Sequence, residues 1–350
     1  IDIITINRDD IYDDSWAVII GIDNYKYSDP LKYAVNDANS IRDLLIRKFN
    51  FSRKNITFIK NEEATIQAIK TALYDVVTKS GSNDRILIFY SGHGETISTI
   101  DGSELGYIIP YEGKQTDPYV TGLSMDEILR TSRIGESKHM LFLMDACYSG
   151  LMTETTKGLS KTSDRGYLST ISKEKSRQII TAGSGTQKVI ERDEWQHSAF
   201  TKNLLSGLGE WGADTDGNGY ITTDELGTYL ISSVTDDTDN FQTPSKGRFK
   251  KSGIGEFIFF KSIKSSFKEV YYDNGQIWKQ GTLNNGYPDG NWTYYYKNGY
   301  KLLEGQFDKG IATGNWMWYY DNGDKAIEAN LIDGSIDAIE LKLYDFIVQE

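Results

Sequence analysis

The sequence predicts an α/β fold: a central, mostly parallel six-stranded sheet flanked by helices, followed by a C-terminal domain of β-hairpin repeats. Three observations carry this. Short, strongly apolar runs alternate with segments of helical spacing through residues 1–262. Two of those runs end in clusters of Gly with His or Cys. From about residue 268 a 24-residue period replaces the alternation.

The first strand is residues 15–21 (SWAVIIG), an apolar run ending in Gly and hence buried. From Asn36, the residues Ala38, Ile41, Leu44, Leu45 and Phe49 keep helical spacing. NITFIK is a second strand, Thr65 caps a helix through Val77, and RILIFY (85–90) is a third strand. Leu105–Pro110 reads as a short extended piece. Ser124, with Glu127 three residues on, is a capping box for a helix to about Arg133. HMLFLMDA (139–146), QIITAG (178–183) and EFIFF (256–260) complete the six strands. Runs this apolar, separated by amphipathic helices, belong in a sheet covered on both faces. Between Gly150 and Gln178 no periodicity is evident, so a long functional loop is expected there.

Composition bounds the function. The chain has 350 residues, 25% charged and 39% hydrophobic, which excludes long disorder, collagen and a disulfide scaffold. Its net charge of -12 repels phosphate backbones and anionic lipid heads, so no nucleic-acid partner is expected. No apolar run reaches the ~18 residues of a membrane span. The acidic N-terminus lacks the features of a signal peptide, and the single cysteine, Cys147, fits a reducing compartment. A cytoplasmic location is therefore expected.

Two strand ends carry chemistry. The third strand runs into Ser91-Gly92-His93-Gly94, the fourth into Asp145-Ala146-Cys147-Tyr148-Ser149-Gly150. In a parallel sheet, catalytic groups gather at the carboxyl ends of strands. If these strands are neighbours, His93 stands beside Cys147, and an imidazole there raises the thiolate fraction of the thiol. The main-chain N–H groups of Gly94 and Cys147 are placed to serve as an oxyanion hole. His139 and His197 lack such settings and read as structural.

The stretches GIDNYKYSDPLKYAVNDA, FYSGHG and LMDACYSG resemble the caspase/metacaspase superfamily of cysteine peptidases (clan CD, family C14), its bacterial caspase-like branch, over about 12–262. The resemblance implies a caspase-haemoglobinase fold and endopeptidase activity without a catalytic cofactor. Cys147 would be the nucleophile and His93 its acid/base partner. It also implies an S1 pocket formed by Asp37, Ser91 and Asp145 and selective for Arg or Lys, because a buried carboxylate without a cation is costly. Caspases proper select Asp through arginines. No comparable basic cluster is evident, so Asp specificity is the weaker alternative. In relatives the 151–177 loop is the place of maturation cleavage, and here it offers Lys157, Lys161, Arg165, Lys173, Lys175 and Arg177 as sites of self-cleavage.

Residues 214–225 match an EF-hand calcium loop. Asp214, Asp216 and Asn218 would supply side-chain oxygens, Tyr220 its carbonyl, Thr222 an oxygen or bridging water, and Glu225 a bidentate carboxylate. Calcium is thus the one ion expected.

In the C-terminal part YYDNGQ (271–276), YYKNGY (295–300) and YYDNGD (319–324) recur in register, as do GNW at 290 and 314. Asn-Gly turns with aromatic pairs at a fixed period indicate stacked hairpins. They resemble MORN-type repeats over roughly 268–332. The expected organisation is a peptidase domain, 1–265, and a repeat domain with a C-terminal cap, 266–350. A polypeptide with a basic P1 residue is the expected substrate, and the repeats are candidates for recruiting a protein partner. A partner-recruiting scaffold with a non-catalytic peptidase fold is the competing reading.

Overall fold

A computed structural model describes residues 11–147, 153–154, 164–183, 187–250, 252–260, 265–284, 287–308, 310–332, 335–336 and 342–343. The chain divides into two compact units, Ile1–Lys261 and Ser262–Glu350.

The first unit contains, in order, β1 (Ser15–Gly21), α1 (Ala34–Phe49), β2 (Ile56–Lys60), α2 (Ile66–Lys79), β3 (Arg85–Ser91), β4 (Gly94–Ser98), β5 (Glu104–Ile108), α3 (Pro118–Thr121), β6 (Leu123–Ser124), α4 (Met125–Ser132), β7 (His139–Cys147), β8 (Thr153–Glu154), α5 (Asp164–Lys173), β9 (Ser176–Gly183), β10 (Glu191–Arg192), β11 (His197–Ser198), α6 (Ala199–Gly209), β12 (Tyr220–Thr222), α7 (Thr223–Asp237), β13 (Ser245–Phe249) and β14 (Ile258–Phe260). Several helix starts are set by side chains. Thr65 accepts the Ala68 N–H, Ser124 the Glu127 N–H and Ser198 the Thr201 N–H.

The central sheet has the order β2-β1-β3-β7-β9-β13-β8. Its first five strands are parallel; β13 joins β9, and β8 joins β13, antiparallel. The sheet is therefore mixed and seven-stranded among the described residues, not six-stranded. Its sixth position belongs to Ser245–Phe249, not to 256–260. SKGRF carries Lys, Gly and Arg and is exposed at its start, so it shows no apolar run. Ile258–Phe260 instead pairs with β12 in a separate two-stranded sheet. It is apolar because it is buried, with neighbouring Phe257 0% exposed. The expected structureless stretch 150–178 also holds a helix, α5, whose Leu168 and Ile171 pack under Tyr12 and Phe260.

Alternation along the inner strands sends side chains to two cores. Ala17, Ile19, Leu87 and Phe89 meet α1, α6 and α7 through Ile41, Leu204 and Leu230. Val18, Ile20, Ile86 and Ile88 meet α2 and α4 through Leu73 and Ile128. At the other end of β3, Arg85 is fully buried. It donates to Ser15 Oγ (2.9 Å) and to the carbonyls of Ile258 (2.7 Å) and Phe49 (2.8 Å), with the Tyr12 and Phe51 rings 4.8 Å away. Strand order reverses direction at β1/β3, so a crevice opens at the carboxyl ends there.

The second unit is an antiparallel sheet of β15 (Ser265–Tyr271), β16 (Ile277–Asn284), β17 (Tyr287–Tyr295), β18 (Lys301–Asp308), β19 (Ile311–Tyr319) and β20 (Lys325–Ile332), with β21 (Ser335–Ile336) and β22 (Lys342–Leu343) on β20. Its contacts repeat with the sequence. Tyr272 Oη donates to the Tyr295 carbonyl (2.8 Å) and Tyr296 Oη to that of Tyr319 (3.0 Å). Asn274 Nδ2 donates to the Lys297 carbonyl and Asn298 Nδ2 to that of Asp321. The recurring glycines lie under the recurring tryptophans, Gly281 under Trp292 and Gly305 under Trp316.

Candidate active site

β3 and β7 are neighbours in register, Ser91 beside Asp145. The ladder continues one step further, the Gly92 N–H donating to the Asp145 carbonyl (3.4 Å). His93 and Cys147 come two residues later on each strand, so both emerge from adjoining strand tips at the crevice. On the β9 side β7 carries an extra residue: Met144 pairs with Thr181 but Cys147 with Gly183. Such a bulge bends a strand and re-aims the residues beyond it. The Cys147 side chain and residues 148–152 lie outside the described residues.

His93 is held from several directions. Its main-chain N–H donates to Tyr25 Oη (2.8 Å), and its carbonyl accepts from Tyr90 Oη (2.7 Å) and the Ile109 N–H (3.0 Å). The Tyr25 ring lies 4.7 Å from the imidazole, centre to centre. Nε2 stands 2.7 Å from the Asp29 carbonyl. A carbonyl only accepts, so Nε2 carries the hydrogen, and Nδ1 of the neutral ring is the proton-accepting atom. Gly92 fits only as glycine, since a Cβ would stand 2.5 Å from Tyr25 Oη.

A cleft of about 380 Å³ opens here, its wall including Asp29, Ser91, His93, Gly94, Asp145 and Glu191. Of the three S1 residues expected from sequence, Ser91 and Asp145 line it. Asp37 is one layer behind, wholly buried in the first turn of α1. Asp145 Oδ2 accepts from Ser198 Oγ (2.5 Å) and Thr201 Oγ1 (2.6 Å). Asp145 Oδ1 is buried without a hydrogen-bond partner. Asp37 Oδ1 shares a 2.5 Å hydrogen bond with His197 Nδ1, and Oδ2 accepts the Ser198 N–H (3.3 Å). The two carboxyl groups adjoin each other. Burial drives both well above the usual carboxylate range, and for Asp145 the charge of Asp37 adds to it.

Three members of this cluster escaped the sequence reading. His197, expected to be structural, binds Asp37 directly. Glu191 lines the cleft and accepts the N–H groups of Lys32 and Tyr33. Ser198 is both N-cap of α6 and donor to Asp145. The one local signal was Ser198 before Ala199-Phe200-Thr201, a helix cap leading into an apolar face. His139 is structural as expected: Tyr12 Oη donates to its Nδ1 (2.5 Å) and its Nε2 donates to the Glu174 carbonyl (2.9 Å).

Lys157 and Lys161 lie outside the described residues. Arg165 and Lys173 are in α5, and Lys175 is exposed beyond it. Arg177 is excluded as a cleavage site in the folded protein. It is buried in β9, its guanidinium donating to the carbonyls of Ser132 (3.1 Å), Lys138 (3.3 Å), Ser176 (2.9 Å) and Gly135 (3.2 Å).

The 214–225 loop joins α6 to β12 and α7. It lies at the far end of α6 from Ser198, about 16 Å away for an eleven-residue helix. Asp214 accepts the N–H groups of Asn218 (3.1 Å) and Gly219 (3.1 Å), and Asn218 Oδ1 that of Tyr220 (3.1 Å). Glu225 Oε2 accepts the Thr222 N–H and Oγ1–H, both at 2.9 Å, as a capping box of α7. Among the described residues no three His, Cys, Asp or Glu side chains gather as a metal-holding group.

A histidine and a cysteine thus stand at adjoining strand tips of a parallel sheet. The sequence profile of the caspase domain, peptidase family C14, matches residues 14–244, well over half of the chain, and the chain belongs to that family. Among curated proteins it is similar to metacaspase-1 of Arabidopsis thaliana, 34% identical over 149 residues, covering 39% of this chain and 40% of that protein. It is similar to metacaspase-6 of the same plant, 28% identical over 185 residues and 48% of each chain. With metacaspase-1 of Eremothecium gossypii it shares 25% over 162 residues, 41% of this chain and 35% of the relative. The chain thus spans less than half the length of these relatives. No helix among the described residues is long and apolar enough to cross a membrane.

Proposed function

We propose that the protein is a cysteine endopeptidase that hydrolyses peptide bonds after Arg or Lys. The observation that carries the specificity is Asp145: a buried carboxyl backed by that of Asp37, its Oδ1 without an N–H donor, in the wall of the cleft that holds His93. Such an atom is costly when empty and rewards a substrate that brings a cation. Metacaspase relatives support the class of reaction. With P1 seated against Asp145, the scissile carbonyl faces Cys147. His93 Nδ1 takes the thiol proton, and the thiolate attacks. The developing oxyanion is received by main-chain N–H groups of Gly94 and Cys147. The imidazolium returns its proton to the leaving amine, and a water then hydrolyses the acyl-enzyme with His93 again as base. Chromogenic peptides differing only at P1 test this. Turnover of Arg and Lys peptides, abolished in Cys147→Ala, is the expected result. A folded protein that cuts none of them, or that cuts after Asp, refutes the specificity.

Calcium binding at 214–225 and self-cleavage within 151–177 belong to the same proposal. The donor set, Asp214, Asp216, Asn218, the Tyr220 carbonyl, Thr222 and Glu225, has the oxygen chemistry a hard cation requires. Occupancy would require Glu225 to leave its capping bonds with Thr222 for the ion. Thermal melts with and without millimolar calcium decide it: a rise lost in Glu225→Gln supports the site, and coincident melts refute it. Mass spectrometry of incubated enzyme locates self-cleavage, with Lys173 and Lys175 exposed candidates among the described residues. The C-terminal unit is assigned as a module for a protein partner.

A further inference from the structure

The acids behind the cleft raise a problem of charge. Asp37 and Asp145 are both buried and in contact, and two ionised carboxylates in that position repel. One proton on the pair removes the repulsion but leaves a poor receptor for a cation. The structure supplies a place for that proton to go. His197 Nδ1 is 2.5 Å from Asp37 Oδ1, and Asp37 is wholly buried. Desolvation disfavours a charge on either group, so in the empty pocket the neutral pair is held, with the hydrogen on Asp37 donating to Nδ1. Burial, which lowers the pKa of His197, works in the same direction.

Resting on the basic-P1 reading above, we infer that His197 is the proton store of the S1 pocket. When a cationic side chain reaches Asp145, the proton crosses from Asp37 Oδ1 to His197 Nδ1. Asp145 then meets the substrate ionised, with Asp37 ionised behind it. The O–H bond of Asp37 breaks, an N–H bond on His197 forms, and no proton is exchanged with solvent. The cluster ends with two carboxylates, one imidazolium and one substrate cation, a neutral set. His197 is a positioning residue in this scheme, acting through Asp37. Around it stand Asp37 from α1, Asp145 from β7, and on its own hairpin Glu191 and, directly opposite, Arg192, whose guanidinium is drawn off over the Trp195 ring at 4.5 Å. Asp23 adds a further negative charge near Asp37. Without His197 the incoming cation has to expel the proton to water.

Two peptides, identical but for Arg or its neutral isostere citrulline at P1, test this by binding to the full chain with Cys147→Ala. The 15N shifts of the His197 ring should pass from neutral imidazole to imidazolium on adding the Arg peptide and stay unchanged with citrulline. Calorimetry in buffers of different ionisation enthalpy should find no extra proton released by the Arg peptide. Adding His197→Gln should release close to one proton and weaken Arg binding tenfold or more at pH 7, the loss shrinking as pH rises. A His197 ring that stays neutral, or a His197→Gln protein with unchanged proton count and affinity, overturns the proton store. Equal affinity for both peptides in the His197 protein would instead overturn the basic-P1 reading itself.

Discussion

The Nε2–H of His93 is held 2.7 Å from the main-chain oxygen of Asp29, on the loop after β1. That contact fixes the tautomer, and it depends on where the loop puts one carbonyl. Asp29 precedes Pro30, and a residue before proline is restricted to extended conformations. The Leu31 N–H, bonded to the Asp23 carbonyl (2.9 Å), ties the loop from the other side.

Pro30→Gly should therefore lower kcat about tenfold while changing KM little, because misorientation of the base costs rate without removing a substrate contact. Steady-state kinetics on an Arg peptide check this. A kcat equal to that of the parent would mean that the Asp29 carbonyl is positioned without Pro30.

Under the proposed specificity, Asp145→Asn removes the charge that would face a P1 cation and keeps the shape. Truncating one partner of a buried charge pair costs about 2–5 kcal/mol, so kcat/KM for Arg peptides should fall about thirtyfold or more. A citrulline peptide should lose far less. Equal losses for the two would assign Asp145 a structural role only.

Asp37 makes a linked prediction for stability. Its folded pKa is raised, so between the ordinary carboxylate value near 4 and the raised value the folded state holds more protons than the unfolded chain. Stability from this group is full below about pH 4 and is lost as pH rises. Asp37→Asn should therefore melt higher than the parent at pH 7.5, with the gain shrinking towards pH 4 in paired thermal scans. A gain that grows on acidification would reverse the sign and refute the raised value.

The strands, and the placing of His93 and Cys147 at their ends, were legible because those signals are local. β3 and β7 are apolar on both faces, and such runs announce buried parallel strands whose ends carry His93 and Cys147. The caps at Thr65 and Ser124 were readable for the same reason. β13 was not, since SKGRF lies where the sheet turns antiparallel near its edge and needs no apolar run. His197 was hidden differently: it comes from a short polar hairpin, ERDEWQHS, and meets Asp37 across 160 positions of sequence. Nothing in its neighbours encodes that meeting. The bulge before Cys147 was likewise invisible, because it is a property of the pairing between β7 and β9.

His139 gives the acid side of the stability profile. Burial lowers it to about 3, so the unfolded state, with an ordinary value near 6.5, binds the extra proton in between. Stability from this group is full above about pH 6.5 and is lost as pH falls towards 3. His139→Gln should show a shallower decline in Tm from pH 6.5 to 4 than the parent, whatever its Tm at pH 7. Parallel declines would place the acid sensitivity elsewhere.

In the C-terminal unit a Cβ on Gly305 would stand 2.1 Å from the Trp316 ring, and one on Gly281 2.4 Å from that of Trp292. Both rings are buried, and the Trp316 indole also meets Phe307 edge to face at 5.1 Å, so neither can retreat without opening the strip of core between neighbouring strands. One repeat later the same position is Ala329, itself fully buried, with Glu340 rather than tryptophan 24 residues beyond Trp316. The requirement for glycine therefore tracks the tryptophan and not the strand. Gly305→Ala should destabilise this unit by about 1–3 kcal/mol, the usual cost of overpacking, seen as an earlier loss of near-UV tryptophan dichroism on heating. Pairing it with Trp316→Leu should recover part of the loss, because the smaller side chain leaves room for the added methyl. Additive losses in the double variant would show that the ring and the glycine are not partners.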